Sequence, residues 1–108
     1  MKLSDLVKRL DLTPITPDYE DKTVSGCYIG DLLSWVMGKA QSGDIWITIM
    51  NNINIVAVAA LTDCAAILLC EGVSLSPEVL AKAQKENVAV FSSEKTAFEL
   101  AKAISGEL

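Results

Sequence analysis

Hydrophobic and polar residues fall in blocks along this chain, and most blocks have a readable period. Leu3, Leu6, Val7 and Leu10 recur at helical spacing behind Ser4-Asp5, which predicts a short amphipathic helix over residues 4–11, packed at an edge. Leu12–Thr16 reads as extended, and Pro14, with no N–H to give a ladder, restricts it to an edge strand. Pro17 to Lys22 is rich in charge and turn formers and reads as a solvated loop. Val24–Ile29 is a strand, after which Gly30 and Asp31 supply a turn and an N-cap. The helix they start turns Leu32, Leu33, Val36, Met37 and Ala40 inward and ends before Gly43-Asp44.

The middle of the chain is the most apolar. Ile45–Met50 is a run of strand length built from β-branched and aromatic residues, and Ala65–Cys70 is a second, a little over a dozen residues further on. That separation suits a parallel crossover. Between them, Val56–Leu61 is half alanine and apolar on every face, as a buried helix capped by Asn51 or Asn52 would be. The competing reading makes Asn51-Asn52 a hairpin turn and Ile53–Ala59 the returning strand, because Asn tolerates positive φ. A membrane span over Ile53–Cys70 is disfavoured by Asp63 at its middle, where a charge costs about 2.5–3.5 kcal/mol.

Ser74–Ser76 precede Pro77 and Glu78, the pattern of a cap with proline at the first helical position, and Val79, Leu80 and Ala83 face inward. Val88–Phe91 is a short buried strand. Ser93 is the cap expected for a last helix with Phe98, Leu100, Ala101 and Ile104 at core spacing, ended by Gly106. Four strand–helix units in succession give an α/β fold: a three-layer sandwich with a mainly parallel four- to five-stranded sheet and helices on both faces. The expected organisation is one domain over residues 1–108, with an N-terminal helix and edge segment over 1–22 and a core over 23–108.

Composition narrows the function classes. Hydrophobic residues make up 51% and aromatics only 6%, so the core is aliphatic. A net charge of −5, with no histidine, is opposite in sign to a nucleic-acid footprint. Three cysteines, Cys27, Cys64 and Cys70, lie in apolar runs without a Cys-x-x-Cys pair, which fits reduced thiols in a cytoplasmic protein. The N-terminus has no long apolar signal region, so secretion is not expected. No histidine base, P-loop or Gly-x-Ser-x-Gly motif occurs. No cofactor, metal site or catalytic residue is therefore expected.

Four segments together carry a family resemblance: Val24–Ser34 (Val-Ser-Gly-Cys-Tyr-Ile-Gly-Asp-Leu-Leu-Ser), Gly43–Thr48, Asn54–Ala59, and the Ile67–Gly72 strand with its glycine ending. They resemble the DRTGG domain over nearly the whole chain from about Val24 onward. The resemblance implies a fold like the N-terminal domain of HPr kinase/phosphorylase. It also implies a kinship with the accessory modules of phosphotransacetylases and CBS-domain pyrophosphatases, regarded as regulatory or dimer-forming. The chain departs from the family pattern where the motif's Asp-Arg falls near Asn51-Asn52 and its Gly-Gly near Glu71-Gly72.

In an open α/β sheet, ligands sit beyond the carboxyl ends of the strands. The predicted rim is Gly30-Asp31, Asn51-Asn52-Ile53-Asn54, Glu71-Gly72-Val73-Ser74 and Ser92-Ser93-Glu94. Asn51, Asn52, Asn54, Glu71, Gly72, Ser74, Ser92 and Ser93 are the candidate ligand-binding residues, able to hold a nucleotide or other small anionic ligand through amides, hydroxyls and helix N-termini. The plainer reading is that Asn51, Asn52, Ser74 and Ser93 are local caps and turns. Asp31, Asp63 and Glu71 read as caps or turns rather than metal ligands, and Cys70 beside Glu71 as core rather than nucleophile.

Three functions stay open. A non-catalytic regulatory or ligand-sensing module that homodimerises would cover an excess of small apolar surface. An adaptor docking on a larger metabolic enzyme or signalling protein would use Trp35 or the acidic loop Asp18–Asp21. A small hydrolase is weakened by the missing bases.

Overall fold

In the computed structural model, which describes residues 1–108, side chains alternate along each strand and so assign two cores to one sheet. The strands are β1 (Thr13–Pro14), β2 (Gly26–Ile29), β3 (Asp44–Thr48), β4 (Ala66–Leu69) and β5 (Val90–Ser92). They form a single sheet in the order β1-β5-β4-β3-β2. β2 to β5 run parallel, and β1 is antiparallel to β5 with Pro14 opposite Phe91, on the outside where its missing N–H leaves no gap in a ladder. The sheet is mixed but mostly parallel.

Each pair of sequential parallel strands is joined by a helix: α2 (Leu33–Lys39), α3 (Asn54–Thr62) and α4 (Pro77–Lys85). Parallel crossovers are right-handed almost without exception, so three in succession between neighbouring strands put their helices on one face. There Val36, Ile55, Val56, Val79 and Ala83 pack on Trp46, Ile67, Leu69 and Val90. The opposite face carries α1 (Leu3–Arg9) and α5 (Ala97–Glu107), whose Leu3, Leu6, Leu100 and Ile104 pack on Ile45, Ile47, Leu68 and Phe91. Trp46 is fully buried and still satisfies its ring N–H, which donates to the Gly30 carbonyl at 2.8 Å.

The residues after Asn51-Asn52 form α3, so the hairpin alternative is excluded. Several finer expectations are corrected. α1 is not an edge ornament, because Leu3 and Leu6 are completely buried, and its N-terminus is capped from a distance. The Ser4 amide and hydroxyl donate to the Asp21 carboxylate, both at 2.8 Å, while the Lys2 side chain at the cap position makes no capping bond and donates instead to the Asp21 carbonyl at 3.4 Å. The 17–22 loop is therefore tied down by Asp21, and by Tyr19, whose ring meets Phe91 edge-on at 5.0 Å. Of the five residues expected inward on α2, Leu32 and Met37 are exposed, because α2 covers the sheet's edge strand and only Val36 reaches full burial.

α3 is buried on one side only; Leu61 is exposed despite the uniformly apolar sequence. Phe98 is 75% exposed rather than core. The cap of α5 is Thr96, not Ser93: Thr96 and Glu99 bond each other's main chains in a reciprocal capping box. Gly106 does not end α5, which continues to Glu107. The predicted start of α4 is found, with Ser76 accepting from the Val79 amide and Pro77 at the first position.

Candidate functional site

All four parallel strands end on the same rim, and the loops that leave them hold the candidate polar residues. At β2, Asp31 does not cap α2, whose cap position is Leu32 with no side-chain bond. Its carboxylate instead crosses to β3, accepting from the Thr48 hydroxyl at 2.8 Å and the Ile49 amide at 3.0 Å. Thr48 is 1% exposed, so this bond satisfies a buried hydroxyl, and its oxygen in turn accepts from the Met50 amide at 3.0 Å. The ends of β2 and β3 are thereby locked together.

Asn52 turns back on its own chain: its side-chain oxygen accepts from the Asn54 amide at 2.9 Å, an Asx turn that leads into α3. Asn51 reaches across instead, donating from its side-chain nitrogen to the Ser74 carbonyl at 3.0 Å. Asn51 and Ser74 are thus brought together over the ends of β3 and β4. The Asn54 and Ser92 side chains make no hydrogen bond within the protein.

Glu71, Gly72 and Ser93 meet at the other half of the rim. The Glu71 amide donates to the Lys95 carbonyl at 2.8 Å and the Gly72 amide to the Ser93 carbonyl at 2.9 Å, while Ser93 Oγ accepts from the Lys95 amide at 3.1 Å. Between β4 and β5 the outgoing chain changes from one face of the sheet to the other, which is where an open α/β sheet ordinarily leaves a crevice. Here the two loops zip together through main-chain bonds and fill it. Glu71 and Gly72 both take positive φ, 57° and 73°, and a Cβ on Gly72 would lie 2.6 Å from the Glu94 carboxylate. This left-handed pair is what a Gly-Gly sequence adopts without cost.

Sequence reasoning missed three features. Thr48 is the buried partner that explains Asp31, and no local signal marks it. Lys95 adjoins the Ser92-Ser93-Glu94 segment and is the cation nearest the rim in sequence. The third is an apolar patch of which only Trp35 stood out in the sequence: Ile29, Leu32, Trp35, Ile49 and Ile53 are 41–62% exposed at the ends of β2 and β3 and the starts of α2 and α3. The ring of Trp35 carries the Lys39 ammonium 5.8 Å from its centroid.

The surroundings favour the neutral form of all three thiols. Burial, then the Asp44 charge, pushes Cys27 up to about 11. Burial, then the Glu71 charge, raises Cys70, and burial raises Cys64. No group of three metal-ligating side chains is assembled. No helix is long and apolar enough to cross a membrane.

Comparison with known proteins identifies a family and a fold. The DRTGG domain family matches residues 5–106. Among solved structures, the CBS and DRTGG domains of the regulatory region of Clostridium perfringens pyrophosphatase, complexed with the activator diadenosine tetraphosphate, superpose with a TM-score of 0.73 at 17% identity. That match covers 98% of this chain but only 46% of the other. No curated protein matches the chain.

Proposed function

Because the chain belongs to the DRTGG domain family, we propose that it is a single-domain, non-catalytic regulatory module that pairs with a second copy through its apolar rim and senses a small anionic ligand beside it. The observation that carries the reading is the exposure of Ile29, Leu32, Trp35, Ile49 and Ile53 on one rim, next to Asn51 and Asn52. A patch of this kind on a soluble domain marks an interaction surface. Pairing by a two-fold axis would bury each copy's patch against the other's. Asn51, Asn52, Asn54, Glu71, Gly72, Ser74, Ser92 and Ser93 are the proposed ligand-facing residues. The nucleotide activator in the pyrophosphatase complex supports a nucleotide among the ligands to try. The absence of histidine and the raised thiols support a non-catalytic role.

A second reading rests on Trp35, 61% exposed: the same surface docks a larger metabolic enzyme or signalling protein. Thermal melting with adenine nucleotides and with acetyl phosphate tests the ligand half of the reading, since a ligand that binds only the folded state raises the melting temperature. A concentration-dependent rise is expected for at least one of them, weakened by Asn51→Ala. Flat melting curves for every compound would remove the sensing role.

A further inference from the structure

The outer face of α5 bears an arrangement that neither the core nor the rim uses. Lys95, Phe98, Glu99, Lys102, Ala103 and Gly106 line a shallow groove of about 470 Å³. Phe98, Glu99, Lys102, Ala103 and Gly106 fall on one stripe of α5, opposite the buried Leu100 and Ile104, and Lys95 adjoins it just before the Thr96 cap. Phe98 is 75% exposed, the most exposed large hydrophobic side chain in the protein. Lys95 and Lys102 make no ion pair, although the chain as a whole is acidic. The Glu99 carboxylate is turned aside into the capping box, accepting from the Thr96 amide and hydroxyl at 3.1 Å each.

Gly106 is unexplained by packing. It lies in the last turn of α5, and a Cβ there would meet nothing within 4 Å. Together with Ala103 it keeps the end of the groove open.

We propose that this groove is a binding site for a planar aromatic anion of the nucleoside-phosphate class, whose ring stacks on Phe98 while Lys95 and Lys102 hold its phosphates. A bare aromatic ring offers stacking to any base, and flanking ammonium groups add attraction for the phosphates. The volume falls within the range of small-molecule sites. None of the proposed ligand-facing rim residues lines the groove, although the Lys95 main chain bonds Glu71 and Ser93, and the site does not depend on pairing.

The test is calorimetric titration of the full chain with ATP, tripolyphosphate and adenosine. ATP should bind saturably and at least fivefold more tightly than tripolyphosphate or adenosine. Phe98→Ala and Lys102→Ala should each weaken ATP binding at least fivefold. Gly106→Leu, which fills the groove, should do the same while leaving Lys95, Phe98 and Lys102 in place. Lys85→Ala, which removes a like charge from α4 on the opposite face of the sheet, should leave ATP binding unchanged. Absence of saturable ATP binding, equal binding of tripolyphosphate, insensitivity to all three groove variants, or an equal loss in Lys85→Ala would each overturn the proposal.

Discussion

At the scale of single residues, the informative positions are those where the backbone or a buried polar group is under constraint. Glu71 holds a left-handed conformation beside Gly72, which costs a non-glycine residue about 1–2 kcal/mol. Glu71→Gly should therefore keep the stability at or above its starting value, whereas Glu71→Val should lower it by about 1–2 kcal/mol in urea denaturation. Asp31 shows the converse. Its carboxylate satisfies Thr48 and Ile49, so Asp31→Ala should cost about 1–3 kcal/mol by stranding a buried hydroxyl. The same measurement checks it. The residue was legible in the sequence as a rim acid, but its role was not, because its partners lie 17 and 18 positions away.

Secondary structure elements divide by whether their signal was local. α4 could be read because Ser76, Pro77 and Glu78 act within one turn, and α3 because no half-exposed hairpin strand accommodates so continuous an apolar run. Burial faces were harder. Leu32 and Met37 on α2, Leu61 on α3 and Phe98 on α5 are all apolar at plausible core spacing, yet they are exposed. Helical period alone does not say how much sheet lies beneath a helix, and α2 lies over the edge strand β2. The cap of α5 was misplaced because Ser93 and Thr96 are both good cap residues, and only the reciprocal Thr96–Glu99 bonds decide between them. That box makes a prediction about pH. The Thr96 amide and then its hydroxyl hold the Glu99 carboxyl below its ordinary 4.5. The folded-state value being lower than the unfolded one, its contribution is present above the unfolded value and is lost as pH falls through the folded value. Glu99→Gln should therefore lose stability less steeply than the parent when melting is followed from about pH 5 to about pH 3.

For the whole molecule, the order of strands and the sharing of helices between two faces follow from successive right-handed crossovers, which is why the architecture was readable from the succession of strand–helix units. The site was readable only in part. The polar rim residues were named, but the closure of the β4–β5 crevice and the apolar rim at β2 and β3 depend on which loops meet in space. Exposed Leu32 and Trp35 contribute little to the fold, so Leu32→Asp with Trp35→Asp should leave the melting temperature of the monomer near that of the parent while abolishing self-association. The central claim, pairing through the apolar rim, is tested most directly by sedimentation equilibrium of the parent and this double variant at micromolar concentration. The account predicts twice the chain's mass for the parent and the chain's own mass for the variant; a monomeric parent, or a variant that still pairs, would contradict it.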